Sequence, residues 1–124
     1  MAAQLYSHVV IIGGGVMGGD IAVVFAAAGW TVHVMSPSAQ TREALPGRVA
    51  TGLQKLAPIA APGTVISYER LDEVPWPKVQ FVIETVTENL ALKQRLFTEI
   101  EALAPHDIPI ASNTSNFPIS TIAG

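Results

Sequence analysis

With 124 residues, 49% of them hydrophobic and 14% charged, the chain has the size of one domain and can bury a real core. A formal net charge of −3 gives it no basic face to compensate phosphates, which excludes nucleic acid as a bulk partner. There is no cysteine, so disulfides, thiolate metal sites and a catalytic thiol are excluded as well.

The chain begins without a basic segment or a long apolar run, so no secretory signal is expected. The first apolar stretch, Val9 to Ile12, is far too short to span a bilayer, and the expectation is a cytoplasmic protein with no membrane partner. His8 to Ile12 is a β-branched run that stops at glycines, the pattern of a buried strand. From Val16 to Ala28, Met17, Ile21, Val24, Phe25 and Ala28 recur at helical spacing, and Gly29 stands where such a helix stops. Thr31 to Met35 reads as the second strand. Across 37–63, Pro37, Pro46, Pro58 and Pro62 limit any helix to about Gly47–Ala57.

A third strand is predicted at Thr64–Tyr68, a loop at Pro75-Trp76-Pro77 and a fourth strand at Val79–Glu84. Leu92, Leu96, Ile100 and Leu103 form one stripe of a helix over Leu90–Ala104, which Pro105 ends. The last strand, Ile108–Ala111, leads into Ser112-Asn113-Thr114-Ser115-Asn116. Strands alternating with helices imply right-handed crossovers and a doubly wound α/β fold with a mostly parallel sheet. Mean hydropathy is +0.39. A sheet covered on both faces explains part of that, and apolar surface meant for another domain or subunit explains the rest.

Gly13-x-Gly15-x-x-Gly18 lies between the first strand and the first helix, the context a dinucleotide-binding loop requires. Gly13 permits a tight turn, Gly15 lets a pyrophosphate approach the backbone, and Gly18 lets helix and sheet pack closely. Amides opening the helix, at Val16 and Met17, then receive the phosphate charge at the positive end of the helix dipole. The fold class is therefore a Rossmann-type dinucleotide-binding domain spanning residues 1–124.

The second strand of such a domain usually ends in Asp or Glu, which grips the adenosine ribose 2′-hydroxyl. Here Ser36 holds that place. Ser36, Ser38 and Arg42 either hold a 2′-phosphate through hydroxyls and a guanidinium, or form an ordinary turn beside unphosphorylated cofactor. The cofactor is thus NAD or NADP.

Further along, Thr85-x-x-Glu88 has the form of a helix capping box, and Lys93 has that of a solvated helix residue. Asn113 and Ser115 follow a strand at its carboxyl end, where open α/β sheets bind ligands, although such residues also form turns on their own backbone. Three segments together carry a resemblance: Gly13-Gly14-Gly15-Val16-Met17-Gly18, Glu88-Asn89-Leu90-Ala91-Leu92-Lys93 and Ser112-Asn113-Thr114-Ser115. The chain resembles the N-terminal cofactor-binding domain of the L-3-hydroxyacyl-CoA dehydrogenases, from Val9 to Ile122 and least across 37–63.

That resemblance implies that Glu88 and Lys93 lie beside the cofactor near the nicotinamide ribose, and that Asn113 approaches the nicotinamide. It implies that Ser115 hydrogen-bonds the substrate's 3-oxygen; Asn116 replaces a second Ser common in the family. The implied reaction, part of fatty acid metabolism, is reversible hydride transfer between an L-3-hydroxyacyl thioester and nicotinamide. The family's general base, a His held by a Glu, lies well beyond the position matching Ser115, as does a helical domain that completes the substrate pocket and dimerises. The expectation is a chain that binds cofactor and turns over little acyl thioester alone, its partners being that missing C-terminal domain, a second copy, or both. The alternatives are a stand-alone nucleotide-binding or regulatory module, a hydroxy-acid dehydrogenase acting on a substrate without CoA, and a glycine-rich scaffold without cofactor. No metal site is expected, because His8, His33 and His106 are far apart in sequence. His33 is expected to be structural, His106 exposed, and Trp30 and Trp76 to pack.

Overall fold

A computed structural model describes residues 7–13, 15–56, 62–85, 90–104 and 108–112. The elements run β1 (His8–Ile12), α1 (Val16–Ala27), β2 (Thr31–Met35), α2 (Ala39–Lys55), β3 (Val65–Tyr68), β4 (Phe81–Glu84), α3 (Leu90–Leu103) and β5 (Ile110–Ser112). The five strands form one sheet in the order β3-β2-β1-β4-β5, and every pair is parallel. Strand order therefore reverses between β1 and β4, and the crevice at their carboxyl ends is where folds of this type receive ligands.

Alternation along each strand divides the core into two layers. Val9, Ile11, Val32, Val34 and Ile83 pack with Ala22, Val23 and Ala26 of α1 and with Leu45 and Val49 of α2. Val10, Ile12, Met35 and Val82 face the other way, against Leu96 and Ile100 of α3 and against Leu71, Val74 and Trp76. The expected continuous apolar strands are thus buried on both faces, and Val9 to Ile12 are fully inaccessible. No described helix is long and apolar enough to cross a membrane.

The helix expected at Gly47–Ala57 instead begins eight residues earlier, at Ala39, and runs through Pro46 to Lys55. An interior proline costs a helix about 3 kcal/mol. Three things offset that cost: the Ser38 side chain accepts the Thr41 amide at 3.2 Å, and Leu45 and Val49 are buried. At Gly52 the helices nearly touch, since an added Cβ would lie 2.6 Å from Val23. The segment between β3 and β4 is more ordered than a plain loop. It holds two 3₁₀ turns, Leu71–Glu73 and Trp76–Lys78, and the buried Trp76 indole donates to the Leu71 carbonyl at 2.7 Å. Consequently β4 starts at Phe81 rather than Val79; β5 is shifted to Ile110–Ser112 from the expected Ile108–Ala111.

Some large apolar side chains remain exposed: Met17, Val24, Leu56 and Ile66. Val24 and Leu56 line an open groove of about 730 Å³ between α1 and α2.

Candidate functional site

The glycine segment leaves β1 at the carboxyl edge of the sheet and turns at once into α1. Gly13 has φ of 101°, a left-handed conformation that side chains disfavour, and its amide donates to the Met35 carbonyl at 2.8 Å. That bond ties the turn to the end of β2. Gly18 lies against the same turn, and an added Cβ there would overlap the Gly13 carbonyl oxygen. Gly15 is the opposite case: an added Cβ would meet nothing within 4 Å, so the space over it is open. Gly15 is also the N-cap of α1, without a side-chain cap and without an acidic residue in the first turn. The helix thus presents its positive end to an open space, with no acidic residue in its own first turn. Val16 and Met17 form the start of that helix, and Met17 is half-exposed.

Two further residues brace the turn. The Thr85 hydroxyl, following β4, lies 3.0 Å from both the Ile12 and Gly13 carbonyls and donates to them. The capping box suggested by Thr85-x-x-Glu88 falls largely outside the described residues; what the structure shows is the Thr85 hydroxyl donating to the glycine turn. Arg48 reaches back from α2, donating to the Gly15 carbonyl at 3.0 Å and lying 3.8 Å from Asp20. Neither role was visible in the sequence, because the partners are 72 and 33 positions away.

At the end of β2, Ser36 is buried and its amide donates to the Tyr68 carbonyl. The Ser38 amide approaches the Ser36 hydroxyl at 3.3 Å, and Arg42 Nη1 donates to the Ser36 carbonyl at 2.7 Å. Ser36, Ser38 and Arg42, grouped from sequence, are therefore brought together. Lys93 falls on α3. Glu88, Asn113 and Ser115 lie outside the described residues, as do Asn116 and His106. β5 ends at Ser112, one position before Asn113.

Beside Ser112 in register, at the end of β4, stands Glu84, a fully buried carboxylate that pattern reading passed over as a strand residue. Among the described residues every buried side-chain polar atom has a hydrogen-bond partner. His33 is buried within the sheet, where Nε2 lies 2.8 Å from His8 Nδ1 and Nδ1 lies 2.8 Å from the Tyr68 hydroxyl. Burial, with the positive charges of His8 and Lys78, lowers its pKa to about 4. It is a neutral structural group, as its place in β2 led one to expect. No cluster of three metal-ligating side chains occurs among the described residues.

Residues 8–124 match the family model described as "3-hydroxyacyl-CoA dehydrogenase, NAD binding domain". Over 123 residues the chain is 34% identical to the glyoxysomal fatty acid beta-oxidation multifunctional protein MFP-a of Brassica napus, covering 94% of this chain and 17% of that protein. Over 132 residues it is 32% identical to the mitochondrial hydroxyacyl-coenzyme A dehydrogenase of Rattus norvegicus, covering 96% and 42% respectively. The solved structure of FadB2 from M. tuberculosis shares 31% identity and a TM-score of 0.78, covering 92% of this chain and 43% of that one. The chain thus spans less than half the length of each of these relatives.

Proposed function

This chain belongs to the 3-hydroxyacyl-CoA dehydrogenase NAD-binding domain family, and from that premise we propose that it is the cofactor-holding part of an oxidoreductase acting on 3-hydroxyacyl thioesters. The observation that carries this reading is the pairing of Gly15, over which the space is open, with Gly18, which is closed against the Gly13 carbonyl. Such a turn accepts a diphosphate without a side chain in its way, and the uncapped start of α1 supplies amides and positive potential. Thr85 and Gly13 hold that turn at the switch point of the sheet.

When bound, the nicotinamide supplies a hydride acceptor or donor at C4. In this reading the chain's own work is positioning. Glu88 and Lys93 flank the nicotinamide ribose, Asn113 approaches the nicotinamide, and Ser115 gives a hydrogen bond to the substrate's 3-oxygen. Neither His8 nor His33 serves as general base, since the two are hydrogen-bonded to each other within the sheet. The chain alone therefore binds cofactor and turns over slowly, and activity comes with a further domain or a second copy.

Calorimetric titration with NADH and with NADPH tests the binding half, with saturable binding of one equivalent of at least one of them expected; absence of heat and of saturation with both would overturn it. Following NADH oxidation with acetoacetyl-CoA tests the other half. Turnover near an ordinary enzyme's ~10 s⁻¹ would refute the claim that the isolated chain is weak.

A further inference from the structure

The end of β2 differs from what an NAD-selective site needs. There the ribose 2′-hydroxyl is held by a carboxylate, which also repels a 2′-phosphate. Ser36 stands in that position, and it carries no charge. Its place beside the phosphate turn is fixed, because Gly13 donates to the carbonyl of the preceding residue, Met35.

A cation has been brought to the same spot. Arg42, six residues along and in the first turns of α2, folds back so that Nη1 donates to the Ser36 carbonyl at 2.7 Å. That bond uses one of five guanidinium N–H groups and fixes the orientation of the rest. Among the described residues no carboxylate pairs with Arg42. The carboxylates after β3 are engaged: Glu73 accepts from the Glu69 and Arg70 amides, and Asp72 pairs with Arg70. Ser38, exposed at the start of α2, adds a hydroxyl whose oxygen caps the Thr41 amide and whose proton is left to donate. The first turn of α2 contains no acidic residue.

We propose that Arg42 and Ser38, set over the uncharged Ser36, form a subsite for the adenosine 2′-phosphate, so that this chain selects NADP(H) over NAD(H). The selectivity has an attractive part, the oriented guanidinium, and a permissive part, the missing carboxylate. The inference rests on the dinucleotide reading above and adds to it the form of the cofactor.

Calorimetry with NADH, NADPH, 5′-AMP and 2′,5′-ADP on the full chain decides the matter. The 2′-phosphorylated member of each pair should bind about tenfold tighter or more, the range of a charge-assisted hydrogen bond. Arg42→Gln should bring the NADPH-to-NADH affinity ratio toward one. Ser36→Asp should invert it, and because Ser36 is buried, Arg42→Gln carries the test if that variant misfolds. Equal binding of both forms, or a ratio that Arg42→Gln leaves intact, overturns the subsite while the dinucleotide reading stands. Failure of all four ligands to bind overturns both.

Discussion

The Thr85 hydroxyl lies 3.0 Å from the Gly13 carbonyl oxygen, which joins the end of β4 to the turn that leaves β1. Those two strand ends flank the point where the order of the sheet reverses. One hydroxyl proton is shared between the Ile12 and Gly13 carbonyls, so the turn is held by a side chain from a neighbouring strand as well as by its own backbone. Thr85→Val keeps the shape and removes the donor. It should lower unfolding stability by about 1 kcal/mol and weaken dinucleotide binding, while Thr85→Ser should retain both. Urea denaturation and calorimetry on the two variants give the comparison; if Thr85→Val equals the parent in both, the brace has no role.

The same turn separates two glycines that look alike in sequence. Gly18→Ala places a methyl group onto the Gly13 carbonyl, and neither backbone nor strand can yield cheaply. Destabilisation of roughly 2 kcal/mol or more is expected. Gly15 has a φ of −69° and open space, so Gly15→Val should fold with a thermal midpoint close to that of the parent. Its side chain would occupy the space assigned to the diphosphate, and NADH affinity should fall at least about tenfold, the mark of a blocked contact. Loss of stability in Gly15→Val with unchanged binding would contradict this division.

Much of this arrangement was legible because it is local. β1, β2 and the glycine turn stand where short β-branched runs and glycine spacing put them, since a buried parallel strand leaves a continuous apolar signature. The contacts that set the site were not legible. Thr85 to Gly13, Arg48 to Gly15 and His8 to His33 each join residues at least 25 positions apart, and the pairing exists only once the sheet has formed. Arg42 and Ser36, six positions apart, were grouped from sequence, yet the guanidinium–carbonyl bond depends on α2 starting at Ala39. The proline at position 46 hid that start. Local propensity counted it as a boundary, whereas burial of Leu45 and Val49 against the sheet layer outweighed it.

Pro46 accordingly gives a prediction of its own. It is exposed in the interior of α2 and cannot donate to the carbonyl four residues back, that of Arg42. Pro46→Ala restores a donor there and removes the ring's clash. Part of the gain is offset by the greater freedom of the unfolded chain. A net stabilisation of about 1–2 kcal/mol is expected by urea denaturation. A loss of stability would mean that the proline shapes the helix in a way the packing needs.

The hydrogen-bonded chain of half-buried His8, buried His33 and half-buried Tyr68 makes stability depend on pH in a definite direction. His33 is held at about 4, below its ordinary 6.5, chiefly by burial and then by the charges of His8 and Lys78. His8 is lowered too, by burial and Lys78, so both rings favour the neutral form in the folded chain. Below pH 6.5 the unfolded chain takes up protons that the folded one refuses, so stability is complete above that value and falls as pH drops toward 4. The slope from His33 can reach at most about 1.4 kcal/mol per pH unit. Urea midpoints measured at pH 7.5, 6 and 5, above the range where carboxylates dominate, should decline steadily. His33→Gln, which keeps a polar group between His8 and Tyr68 but cannot titrate, should flatten that decline. A midpoint that stays level from pH 7.5 to 5 in the parent would show that His33 accepts its proton in the folded state as readily as in the unfolded one.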